Sequence, residues 1–179
     1  CVLIKSALRL ASETFASIQE PPHVKLPSYR QRRIQVFSEG DVQRIAACAI
    51  SSPTPGSLGI LLGLNTGLRL GELCALRWSD VDFFSGTIRV ERTVQRVNYG
   101  GSTRLLLQSP KSESSMRSVP VPADMLALLK KMASGSVPEA YILTGCANKP
   151  MEPRTCQRRF HALLKSCGLK DRNFHTIRH

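Results

Sequence analysis

Leu58 to Leu64 reads Leu-Gly-Ile-Leu-Leu-Gly-Leu and is apolar on every side. A helix of this composition offers water no face, so it must lie inside the core with other elements packed round it. Turn residues set its limits: Ser51-Ser52-Pro53-Thr54-Pro55-Gly56 ends what precedes it, and Asn65-Thr66-Gly67 breaks the chain after it. Upstream, Ser38-Glu39-Gly40-Asp41 has capping-box character and predicts a helix running to about Ile50. Downstream, a short helix is expected from roughly Leu70 to Leu76.

Thr87 to Val97, Arg104 to Gln108 and Arg117 to Val121 have strand character and are joined by Asn98-Tyr99-Gly100-Gly101 and by a Ser-rich loop. They predict one small antiparallel sheet. Helix returns at Ala123 to Ala133 and again after Met151-Glu152-Pro153. In the second of these, Cys156, Phe160, Leu163, Leu164 and Cys167 share one face and Arg154, Arg158 and Lys165 another. Gly168 is placed to end it. The expected fold class is α+β, mainly helical with a small three-stranded antiparallel sheet.

Residues 1–18 place Leu3, Ile4, Ala7, Leu8, Ala11, Phe15 and Ile18 at helical spacing, a stripe with no core of its own. Pro21, Pro22 and Pro27 then alternate with Lys25, Arg30, Arg32 and Arg33, the composition of an extended basic linker. Such a strap suits either a phosphate backbone or a solvated tether. The chain starts without Met and ends abruptly, which is expected of a piece of a longer protein.

A net charge of +12 and a pI near 10.0 favour a polyanionic partner, nucleic acid ahead of a membrane surface. Residues 101–179 hold thirteen Lys/Arg against five Asp/Glu, so +8 of the +12 lies there. A phosphate-facing surface is expected first in that half. The six cysteines form no C-x-x-C pair and no Cys/His cluster at metal spacing, and so predict reduced thiols and no metal site. Cys74, Cys156 and Cys167 fall at apolar helical positions, as small buried hydrophobes do. No run approaches the roughly 18 apolar residues of a membrane span, nothing resembles a signal peptide, and a cytoplasmic location is expected.

Three basic elements follow one another along the chain. Thr66-Gly67-Leu68-Arg69-Leu70-Gly71-Glu72-Leu73 runs on to Leu76-Arg77-Trp78-Ser79-Asp80-Val81-Asp82. Lys111 stands in Ser109-Pro110-Lys111-Ser112, ahead of Arg117-Ser118-Val119-Pro120-Val121-Pro122. The chain closes on His175-Thr176-Ile177-Arg178-His179, at the start of a helix in which His175 and Arg178 lie one turn apart and face one side. A phosphodiester in transfer gathers negative charge on its non-bridging oxygens, and paired guanidiniums meet that charge with bidentate hydrogen bonds. Arg69 and Arg178 are the candidate clamp. Each element alone is weak, but their ordered agreement resembles the catalytic domain of the tyrosine recombinases, the phage integrase family, over residues 37–179. Residues 1–19 resemble the last helix of a core DNA-binding domain, and residues 20–36 would be the linker.

The resemblance implies a DNA strand transferase working through a 3′-phosphotyrosine intermediate, without metal or nucleotide cofactor. It implies Lys111 as the general acid on the departing 5′-hydroxyl, with Arg117 as its competitor for that place. It also implies His175 as a proton-transfer or phosphate-holding group and Glu72 as a buried carboxylate orienting the basic groups. Double-stranded DNA is the implied partner, with a homo-oligomer, a tetramer on DNA, for the parent protein. Arg30, Arg32, Arg33, Arg154, Arg158 and Lys165 are further candidate DNA contacts. The family's nucleophilic Tyr, and a second His or Trp, belong after the His-x-x-Arg element. Tyr29, Tyr99 and Tyr141 precede that element and His179 comes too early, so this chain is expected to bind DNA without cleaving it covalently. Three other readings compete: a non-catalytic DNA-binding regulator on the same scaffold, an RNA-binding module motivated by charge alone, and a helix-turn-helix repressor over Arg154 to Lys165, which gives no better account of Arg69 and Lys111.

Overall fold

The computed structural model describes residues 2–15, 36–109 and 116–178. It forms two units, Cys1–Arg33 and Ile34–His179. In the first, α1 spans Val2–Thr14, and Leu3, Ile4, Leu8 and Leu10 on it are exposed, as is Phe15 beyond it. Ile18 and the basic linker as far as residue 35 lie outside the described residues.

The second unit opens with α2, Glu39–Ser51. Its start is fixed reciprocally: the Asp41 amide donates to Ser38 Oγ at 3.2 Å, and the Ser38 amide donates to Asp41 Oδ2 at 3.1 Å. Thr54 and Ser57 cap α3 (Pro55–Thr66) in the same way, with Pro55 in the first turn. Every residue from Gly56 to Gly63 is buried, because α2, two further helices described below and the C-terminal turn pack around α3. Gly67 ends it in the left-handed region at φ 61°, where a Cβ is strained, and so turns the chain into α4, Leu70–Ala75.

The strands differ from the sequence expectation. Thr87 to Val97 is two strands, not one: β2 (Thr87–Val90) and β3 (Thr93–Tyr99). The break falls at Glu91-Arg92, where the Arg92 guanidinium binds the buried carboxylate of Asp80. The three-stranded antiparallel sheet has the order β1-β2-β5, where β1 is Val81–Asp82 and β5 is Arg117–Pro120. Strand β4 (Ser102–Gln108) does not join it; it pairs only with β3, as a separate hairpin turned by Gly100-Gly101. The third predicted strand therefore pairs with the first half of the first, Val90 facing Arg117, and not with its sequence neighbour.

Two helices complete the unit, α5 (Ala123–Ala133) and α6 (Pro153–Ser166). Helix α6 buries Cys156, Phe160 and Leu164 and leaves Arg154, Arg158 and Lys165 exposed. Phe160 sits between Phe37 and Phe174, with ring centroids 6.2 and 5.2 Å away in edge-to-face contact. The last described residues, Phe174–Arg178, form a 3-10 turn and not the first turn of an α-helix. Among the described residues no helix is long and apolar enough to cross a membrane.

Candidate active site

Arg69 is the N-cap residue of α4, and Glu72 sits three residues into that helix. The Arg69 amide donates to Glu72 Oε2 at 2.8 Å, and Arg69 Nη1 donates to Glu72 Oε1 at 2.9 Å. A second guanidinium arrives from the start of β5. Arg117 Nη1 donates to Oε1 at 3.0 Å and Nη2 to Oε2 at 2.8 Å, a two-bond fork on the same carboxylate. Glu72 is buried and accepts four hydrogen bonds, about the capacity of an ionised carboxylate. Burial alone would raise its pKa, but the bonds from Arg117 and from the Arg69 amide and side chain outweigh that and lower it to about 2. It therefore stays ionised and cannot act as a base at neutral pH. In return, Glu72 raises the pKa of Arg117 still further. An arginine so held is a poor proton donor.

The Arg69 side chain is 61% exposed although its root is fixed. Of its guanidinium nitrogens Nη1 donates to Glu72, and most of the side chain is open to solvent. The other half of the expected clamp lies on the 3-10 turn. There Phe174, Thr176 and Ile177 are buried, His175 is exposed, and the His175 amide donates to Asn173 Oδ1 at 3.0 Å. Residues three apart eclipse in a 3-10 turn, so His175 and Arg178 still share a side. Arg178 is half-buried, and its Nε is buried without a hydrogen-bond partner among the described residues. The turn rests on the last stretch of α3. A Cβ at Gly63 would meet Phe174 Cζ at 3.3 Å, a tight contact, and Ile177 Cγ2 at 3.7 Å, so the turn packs closely on this glycine. Arg69 thus follows the C-terminal end of α3 by three residues, and Arg178 follows Ile177, which packs near Gly63 of the same helix.

Lys111 lies outside the described residues, as do Arg30, Arg32, Arg33 and His179. Arg154, Arg158 and Lys165 line the exposed face of α6, and Arg158 Nη2 donates to Thr155 Oγ1 at 3.1 Å. The Leu-Arg-Trp-x-Asp-Val-Asp motif is architectural. Asp80 is buried, accepts the Arg77 amide at 2.8 Å and pairs with Arg92, while Arg77 lies 4.7 Å from the centroid of the Tyr141 ring and donates to its hydroxyl at 3.1 Å. Tyr141 is therefore buried and engaged, Tyr99 lies exposed at the hairpin tip, and Tyr29 is outside the described residues. The bonding of Arg117 is what sequence reasoning missed. Its signal was an Arg opening a strand, and nothing local names its partner.

Residues 35–179 match the Phage integrase family, and the chain belongs to it. The Tyrosine recombinase XerC-like protein of Caldanaerobacter subterraneus subsp. tengcongensis is 29% identical over 168 residues, covering 83% of this chain and 42% of that protein. Tyrosine recombinase XerC of Xanthomonas campestris pv. campestris is 30% identical over 181 residues, covering 96% and 47%. Among solved structures, the Tn1549 transposon integrase in complex with transposon right end DNA superimposes with a TM-score of 0.74 at 19% identity, covering 98% of this chain and 61% of that one. A lambda integrase tetramer bound to a Holliday junction gives 0.64 at 19% identity, covering 98% and 47%. The fold is that of a tyrosine recombinase catalytic domain, and the chain spans under half the length of these curated relatives.

Proposed function

We propose that this chain is the DNA-binding and phosphate-clamping part of a site-specific tyrosine recombinase that cleaves and rejoins duplex DNA through a 3′-phosphotyrosine. The observation that carries this reading is the Arg69 guanidinium, rooted on a buried carboxylate yet open to solvent, together with a half-buried Arg178 whose Nε has no hydrogen-bond partner among the described residues, both carried by segments next to α3. Donors held in place before substrate arrives stabilise charge that develops only in the transition state. Lys111 would protonate the leaving 5′-hydroxyl, His175 would hold a phosphate oxygen or move a proton, and Glu72 would orient the arginines. The recombinase would assemble as a tetramer on DNA and work in the cytoplasm. Helix α1 would close a core DNA-binding domain joined by the basic linker.

Binding of a fluorescent duplex at increasing salt tests the DNA reading. Affinity should fall by at least about 10³-fold between roughly 50 and 200 mM salt, because each neutralised phosphate contributes about 0.9 to the log–log slope. Replacing Arg154, Arg158 and Lys165 together with Ala should flatten that slope by up to about 2.7. A flat response in the unaltered chain contradicts phosphate-dominated binding, and an unchanged slope in the triple variant removes α6 from the DNA surface. In the full-length gene product, loss of strand cleavage on Arg69→Ala or Arg178→Ala tests the clamp itself.

A further inference from the structure

The Glu72 carboxylate lies between two arginines that do not share its work equally. Arg69 gives it one guanidinium nitrogen and keeps a side chain that is 61% exposed; Arg117 gives it two and is 33% exposed. Without Arg117, the fork of Arg69 would be the only guanidinium left to satisfy a buried carboxylate, and the outward donors would be drawn onto it. The charge balance changes as well. Two guanidiniums and one carboxylate sum to +1, whereas Arg69 and Glu72 alone sum to zero. Resting on the phosphate-clamp reading of Arg69, we propose that Arg117 is a positioning residue: its fork saturates Glu72, which leaves the outer edge of Arg69 free for a phosphate and keeps the cluster cationic.

The surroundings of Glu72 make this testable by pH. Arg117 from β5 and Arg69 from its own turn are the cations that hold it. Of the other elements packed on α4, α3 carries no charged residue, and Arg96 of β3 is paired with Glu152 at the start of α6. The α6 cations Arg154, Arg158, Arg159 and Lys165 are exposed. With Arg117 gone, the bonds and charge it gives Glu72 are lost while the burial that opposes ionisation remains, so Glu72 would take up a proton at higher pH than in the unaltered chain. Protonation would restore the missing charge and release Arg69.

The probe is inorganic sulfate, a tetrahedral dianion that does not titrate over the range used. It is added to the 179-residue chain and followed through arginine Nε–H NMR signals, for the unaltered protein, Arg117→Ala and Arg69→Ala. At pH 7 the Arg117→Ala variant should bind sulfate about tenfold more weakly than the unaltered chain, the effect of one unit charge at close range. That ratio should shrink as pH is lowered from 7, because Glu72 in the variant takes up a proton before Glu72 of the unaltered chain does. A ratio of one at pH 7, or a ratio that persists unchanged to low pH as a merely structural defect would, overturns the proposal. Arg69→Ala separates the two readings: if it leaves sulfate binding untouched, the clamp itself is wrong. If circular dichroism shows Arg117→Ala unfolded, Arg117→Lys takes its place. A lysine keeps the charge but not the fork, so it should weaken sulfate binding by a smaller factor; unchanged affinity in that variant overturns the positioning role.

Discussion

Glu72→Ala should lower the unfolding free energy at pH 7 by about 3 kcal/mol, a penalty at the low end of that for breaking a buried ion pair. The low end applies because one of the two stranded guanidiniums, that of Arg69, is 61% exposed and can be hydrated. Titration leads to the same size. Glu72 has a pKa of about 2 in the fold against 4.5 for an ordinary glutamate, and a shift of that size is worth about 3 kcal/mol. The sign follows from proton binding. A carboxylate with a depressed folded-state pKa binds protons more readily when unfolded, so its contribution is complete above pH 4.5 and declines as pH falls towards 2. Urea unfolding of both proteins at several pH values checks this. The gap between them should be widest near neutrality and narrow steadily below pH 4.5; a gap independent of pH would mean that Glu72 contributes by packing and not as an ionised partner of the arginines.

Phe160→Ala should cost about 3–5 kcal/mol, the range for emptying an aromatic side chain from a core. Phe160 is fully buried on α6 and touches Phe37 near the start of α2 on one side and Phe174 of the 3-10 turn on the other. The cavity would therefore open directly beneath the turn that carries His175 and Arg178. Thermal unfolding should show the large loss, and amide hydrogen exchange should show extra opening concentrated at residues 174–178. Uniform loss of protection across the unit would mean that Phe160 supports the core generally and not the turn in particular. Phe160→Leu, which refills much of the space, should recover a large part of both effects.

The two variants differ in how far their targets could be foreseen. Phe160 lies on a helical stripe with Cys156 and Leu164, and that periodicity alone predicts burial. Glu72 was foreseeable as a support only through the resemblance of Thr-Gly-Leu-Arg-x-x-Glu-Leu to a known pattern. The predicted bounds of α5 match the structure residue for residue, and the Ser38 box opens α2 where expected, because propensity and capping act within a turn of the chain. The strands were harder. Thr87 to Val97 looks continuous by composition, and the break falls at Glu91-Arg92, where Arg92 pairs with Asp80, twelve positions earlier.

By itself the sequence determined that α3 is enclosed, that the chain turns at Gly67 into an arginine-bearing cap, and that an excess of positive charge gathers in the C-terminal half. These are local facts of polarity, backbone freedom and composition. Only the tertiary structure decided which strand pairs with β2, where the 3-10 turn rests, and that Arg117 belongs to Glu72. That last pairing joins residues 45 positions apart and exists because Val90 lies opposite Arg117 in the β2–β5 register, carrying the guanidinium to the α4 cap. A hydrogen-bond donor can name its acceptor only when the backbone has already brought the two together.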